Sequence, residues 1–96
     1  MSRPTRLKFR LFVAGDTQNS AEALANLSAF CREHLPNQHE IEVVDVLQEP
    51  QRAMKDSVFM TPTLVKLSPA PVRQIVGTLS EPYILSQVFG LRALAA

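Results

Sequence analysis

A single cysteine, Cys31, stands among 96 residues, so neither an internal disulfide nor a CxxC dithiol pair exists. Only three glycines are present, and neither GxxxxGK[ST] nor GxGxxG occurs, which leaves nucleotide binding by a glycine-rich cradle without support. Long apolar runs are missing too. The stretch after Thr5 is broken by Lys8 and Arg10 and stops at Gly15-Asp16. A secretory signal needs an apolar core of about 7–15 residues and a membrane span about 20, so a cytoplasmic chain without a membrane partner is expected. Ten Lys/Arg against nine Asp/Glu leave a charge of +1. Such a balance makes no field that gathers nucleic acid.

What is present is a packed composition, 46% hydrophobic and 20% charged, in a length that holds one core. A single domain over residues 1–96 is expected. Leu7, Phe9, Leu11 and Val13 alternate with Lys8, Arg10, Phe12 and Ala14, the period of a strand whose later half is buried on both faces. After Gly15-Asp16-Thr17, Asn19 or Ser20 is the expected cap of a helix carrying Ala23, Leu24, Leu27, Phe30, Cys31 and Leu35, which ends before Pro36. Glu40 to Val46 reads as a second strand, and Pro50 opens a short helix through Ala53 and Met54. Two short strands, Thr63–Leu67 and Val72–Val76, flank Ser68-Pro69-Ala70-Pro71, which predicts a hairpin with a stiff corner. A last helix is expected from Ser80 to about Leu94. The order βαβαββα is that of an α/β, thioredoxin-like domain. Its core is expected to include Phe9, Leu11, Val13, Leu24, Leu27, Val43, Leu64 and Leu85. Pro62 stands where that fold places a cis-proline before its third strand.

Thioredoxin chemistry needs a cysteine at the start of the first helix, where the helix dipole stabilises a thiolate. Gly15-Asp16-Thr17-Gln18-Asn19-Ser20 has none. Cys31 falls about three turns further on, among leucines, and reads as a core residue; a monothiol reductase is the enzyme alternative. Cys31, His34 and His39 lack the paired spacing of a zinc site, so solvated or capping histidines are expected. Asp16, Asp45 and Asp56 form no acid–base pair, and Asp45 reads as a local hydrogen-bonding residue. Lys8 and Arg10 are expected on a solvated face. The residues alone therefore describe a thioredoxin-like scaffold without catalysis, suited to binding another protein.

Four ordered segments resemble the KaiB family of circadian clock proteins, over about Arg6 to Arg92. Phe12-Val13-Ala14-Gly15-Asp16-Thr17 with Asn19-Ser20 is similar to LYVAGxTPxS, and Val44-Asp45-Val46-Leu47 with Pro50 and Ala53 to IDVLxxPxxA. Thr61-Pro62-Thr63-Leu64 with Lys66 follows, and Pro69-Ala70-Pro71-Val72-Arg73 with Ile75-Val76-Gly77 and Leu79-Ser80 is similar to PPPVRRIIGDLS.

The resemblance implies a noncatalytic regulator that binds a KaiC-type hexameric ATPase, with KaiA as a further partner and a SasA-type kinase as competitor. It also implies two folds of one sequence: a homodimeric or homotetrameric ground state, and a thioredoxin-like monomer that binds the ATPase. Gln51, Lys66 and Arg73 occupy motif positions and are the expected partner contacts. Pro62, Pro69, Pro71, Gly77 and Thr78 are the candidates for cis bonds or the fold switch, Thr78 standing where the family carries Asp. Gln18, Glu22 and Gln48 depart from the motif, Glu22 by reversal of charge. An adaptor or detached sensor domain in a kinase or stress pathway, without a clock, is the alternative.

Overall fold

The computed structural model describes residues 6–89. The order is β1 (Leu7–Val13), α1 (Gln18–His34), β2 (His39–Asp45), α2 (Pro50–Lys55), β3 (Thr63–Ser68), β4 (Arg73–Val76) and α3 (Pro82–Phe89). This is the expected succession. The expected stretch of the last helix beyond Phe89 lies outside the described residues.

One sheet runs β2-β1-β3-β4, with β1 parallel to β2 and antiparallel to β3, and β3 antiparallel to β4. The parallel pair needs a crossover, and α1 supplies it. Strand alternation then sorts the side chains into two layers. Leu7, Phe9, Leu11, Val13 and Leu64 form one core with Ala23, Leu27, Phe30 and Cys31 of α1 and Leu85 and Phe89 of α3. Phe12, Val44 and Val65 face the other way, onto Ala53 and Val58. Phe89 docks α3 on β1 and α1, its ring centre 4.4 Å from Phe9 and 5.3 Å, edge-on, from Phe30.

Two expected core residues are not core. Leu24 is 36% exposed and Val43 46%. β2 is an edge strand, so the side of Val43 away from β1 has nothing to pack against. On α1 the stripe facing the sheet is Ala23, Leu27, Phe30 and Cys31, and Leu24 lies about 100° round the helix from Ala23. The two line a shallow groove with Val13, Gly15, Asp16, Ser20, Ala21 and Asp45.

The α1 start also differs from expectation. Thr17, not Asn19 or Ser20, precedes the helix. The Ser20 hydroxyl accepts from the Ala14 amide at 3.1 Å and from the Thr17 hydroxyl at 2.8 Å. Its role is to close the strand-to-helix turn rather than to cap.

Thr61-Pro62, Ser68-Pro69 and Ala70-Pro71 are cis, and the last two form the β3–β4 corner. Between β4 and α3, Gly77 has φ 121° and Leu79 φ 61°. A leucine in the left-handed region costs roughly 1–2 kcal/mol. Burial of Leu79 in the core offsets that cost, and the Asn26 amide of α1 holds the same segment by donating to the Thr78 carbonyl at 2.7 Å.

Two outcomes are expected from denaturant and thermal unfolding. Leu27→Ala should lose about 2–5 kcal/mol, whereas Leu24→Ala should lose about 1 kcal/mol or less. A Cβ on Gly77 meets nothing within 4 Å. Gly77→Ala should nevertheless destabilise this fold by about 1 kcal/mol or more, through its backbone angle alone.

Candidate functional site

Ligand sites in open α/β sheets lie beyond the carboxyl ends of the parallel strands. Here the two turns at that end, beside the shallow groove, are tied together by hydrogen bonds. Asp45, at the end of β2, accepts through Oδ1 from the Gly15 amide at 3.1 Å and the Leu47 amide at 2.9 Å. It ties the turn after β1 to the turn after β2, the local role expected of it. No cysteine stands at the start of α1 and both hydroxyls there are engaged with each other.

Cys31 is wholly buried, and burial pushes its thiol up to about 11. A thiol so placed is a packing residue, not a nucleophile. His39 Nδ1 donates to the Leu35 carbonyl at 2.7 Å, fastening the entry to β2. Among the described residues no three His, Cys, Asp or Glu side chains gather as a metal site.

Arg10 is not on a merely solvated face. It donates to Glu42 and to Asp56, both at 2.7 Å, and Arg52 donates to the second Glu42 oxygen at 2.7 Å. The register causes this. Pairing of Arg10 with Glu42 puts both on the α2 side of the sheet, where Arg52 and Asp56 close the network. The two arginines hold the Glu42 carboxyl below its ordinary range, Arg10 contributing most.

Of the expected contacts, Lys66 and Arg73 come together. They are register partners on β3 and β4 and share the α3 side of the sheet. Arg73 is exposed, but Lys66 is buried. Burial lowers the Lys66 pKa, and the neighbouring guanidinium lowers it further. Among the described residues neither cation lies within 4.0 Å of an acid. Gln51 is exposed on α2, against the opposite face, and is not part of this pair.

The sequence reading missed a second surface. Phe59 is 86% exposed, Met54 74%, Leu47 71% and Met60 64%. Val46, Ala53, Val58, Phe59, Met60 and Thr61 line a pocket of about 160 Å³. Its loop is held rigidly from behind: Thr63 Oγ1 donates to the Met60 carbonyl at 2.6 Å, and the Gly77 amide donates to the Pro62 carbonyl at 2.9 Å. The available signal was the apolar run Val58-Phe59-Met60 against Thr61-Pro62, which fits neither a strand nor a helix period. Apolar side chains on a short anchored loop suit a protein partner better than a small substrate.

The KaiB domain model matches residues 10–91. The chain belongs to the KaiB family. It is 40% identical over 75 residues to circadian clock protein KaiB3 of Synechocystis sp., covering 78% of this chain and 74% of that protein. To the circadian clock oscillator protein KaiB of Microcystis aeruginosa it is 44% identical over 72 residues, covering 75% and 69%. In fold it is similar to the N-terminal domain of Synechococcus elongatus SasA, at TM-score 0.76 and 19% identity over 99% of this chain and 89% of that one. Yeast mitochondrial thioredoxin 3 follows the same fold at TM-score 0.71 and 17% identity, over 90% and 78% of the two chains. Within this KaiB-family domain the thioredoxin frame is retained, while the turn before α1 carries no thiol.

One pH dependence follows from the network. The folded pKa of Glu42 lies below its unfolded value of about 4.3, so the stabilisation is complete above that value and is lost as pH falls through the folded pKa. In urea titrations from pH 7 to pH 3, Glu42→Gln should flatten the acid limb of the wild-type stability profile.

Proposed function

We propose that this KaiB-family chain is a noncatalytic, cytoplasmic regulator that binds a KaiC-type hexameric ATPase in its thioredoxin-like state and thereby modulates the ATPase's phosphorylation or output. The observation that carries the reading is the Lys66–Arg73 pair. Packing the Lys66 side chain into the sheet beside a second cation, with no acid at hand among the described residues, lowers its pKa and costs stability. An acidic partner surface relieves that cost, and complementarity of this kind sets rate and specificity of docking. The anchored apolar loop at Phe59 and Met60, on the α2 side where β3 begins, gives the same reading a second area to bury. Gln51, exposed on α2 against the opposite face, belongs to the side of the apolar loop and not to the cation pair.

KaiA as a later partner, and a SasA-type kinase as competitor, belong to this proposal; the shared fold of the SasA domain supports competition for one docking place. So does control by fold population. A competent state held at about 1% weakens apparent affinity about a hundredfold, and the left-handed Gly77 and Leu79 beside Thr78 put backbone strain at the junction that such a switch would use.

The test is binding of the purified chain to the KaiC-type ATPase of the same organism, with ATP, by titration calorimetry. Arg73→Glu keeps the fold, because the new carboxylate faces Lys66, and should weaken binding by at least about tenfold. Lys66→Met should raise the urea midpoint while weakening binding. Failure of the unmodified chain to bind the ATPase, with capture of a kinase instead, would move the function to a sensor-like adaptor.

A further inference from the structure

The chain has three methionines, Met1, Met54 and Met60. The two within the described residues lie in solvent, Met54 at 74% exposure and Met60 at 64%, although methionine ranks among the most buried side chains. They belong to one surface. Met60 and Ala53, the chain neighbour of Met54, line the same pocket, and the Val58 amide donates to the Ala53 carbonyl at 2.8 Å, which ties the loop to α2. Neither thioether is part of the two cores, yet the backbone at both positions is held. The Ser57 amide donates to the Met54 carbonyl at 3.1 Å, and Thr63 Oγ1 donates to that of Met60. A chemical change at either sulfur therefore alters the surface and leaves the fold.

The chemistry open to an exposed thioether is oxidation. A sulfur lone pair attacks one oxygen of a peroxide, and the S–O bond forms as the O–O bond breaks. Sulfur gives up two electrons, and the departing oxygen takes the proton and leaves as water or an alcohol. The product is a sulfoxide, a polar and chiral group where an apolar one stood. A free thiol is ordinarily the competing sulfur, but here it is out of reach. Cys31 is wholly buried, and burial pushes its thiol up to about 11, so the reactive thiolate is scarce at neutral pH. Burial of the cysteine and exposure of the two methionines direct a peroxide to the thioethers.

We propose that Met54 and Met60 are a reversible modification site, at which a peroxide turns the apolar surface beside α2 polar without unfolding the chain. Reversal takes a methionine sulfoxide reductase and a dithiol: the sulfoxide oxygen leaves as water and the dithiol becomes a disulfide. Phe59, 86% exposed next to Met60, is the side chain whose burial a new polar neighbour opposes, because a sulfoxide oxygen covered without a donor costs free energy. The effect on ATPase docking rests on the function proposed above. The oxidation itself does not, and the two fail separately.

Millimolar hydrogen peroxide applied to the full chain, followed by peptide mass mapping, tests it. One oxygen should appear on Met54 and one on Met60, told apart from Met1 by their peptides, while Cys31 stays unmodified and the urea midpoint holds. The oxidised chain should also leave a hydrophobic-interaction column earlier. Where the untreated chain binds the ATPase, oxidation should weaken binding by roughly tenfold, and a reductase with dithiothreitol should restore it. Peroxide should change neither the retention nor the affinity of the double variant Met54→Leu/Met60→Leu, whatever values it starts from. Met60→Gln, a polar side chain of similar length, should elute early without peroxide. Oxidation of Cys31 as fast as the methionines, unfolding on oxidation, or unchanged retention overturns the proposal. So does an oxidised chain that binds the ATPase as the untreated one does. If the untreated chain does not bind, the proposed function falls, and the mapping and retention decide this proposal alone.

Discussion

Burial of β1 on both faces is the constraint on which the rest depends. Leu11 and Phe12 are consecutive and both wholly buried, which a strand permits only when layers cover it above and below. Leu11 needs α1 and α3 on one side, and Phe12 needs α2 and Val58 on the other. β1 must also be central, because its backbone groups are satisfied only by neighbours on both edges, and β2 and β3 supply them. Once that strand is placed, the right-handed crossover through α1 and the return through α2 have little freedom left.

The charges obey the same constraint. Alternation along β1 sends Lys8 and Arg10 to the α2 side, and register with β2 sets Glu40 and Glu42 beside them. The network of Arg10, Glu42, Arg52 and Asp56 is thus a consequence of strand order, and it neutralises a set of charges that would otherwise seek partners. On the other side of the sheet the register brings Lys66 and Arg73 together without an acid among the described residues. The asymmetry explains how a chain with a net charge of +1 has one electrostatically quiet face and one face that carries two cations without an acid beside them among the described residues.

The scaffold has the fold of a thioredoxin, while the turn before α1 is occupied by structural bonds. Where a thiol would stand, Thr17 and Ser20 close a turn, and Asp45 fastens the adjacent loops. The sole cysteine is moved into the core, where burial raises its pKa to about 11. A family of clock proteins sharing a frame with thioredoxins is physically coherent on these terms, since the frame is set by packing and the chemistry by a few replaceable side chains.

By itself the sequence determined the element order, because periodicity of two or 3.6 and proline positions are local signals, legible at β1, α1, the Pro69–Pro71 corner and α3. The local hydrogen-bonding role of Asp45 was legible too, and the motifs carried the family. Edge position was not local. Val43 and Leu24 have the residue types of a core and stand at core periods, yet lie half in solvent because, among the described residues, no strand lies beyond β2 in the sheet. Nor was pairing local: that Arg10 meets Asp56, 46 residues away, and that Lys66 is buried beside Arg73, depend on which strands adjoin. The exposure of Phe59 and Met60 is of the same kind. Tertiary structure decided these features, because burial and charge pairing are properties of neighbours that the chain brings together only when the sheet is assembled.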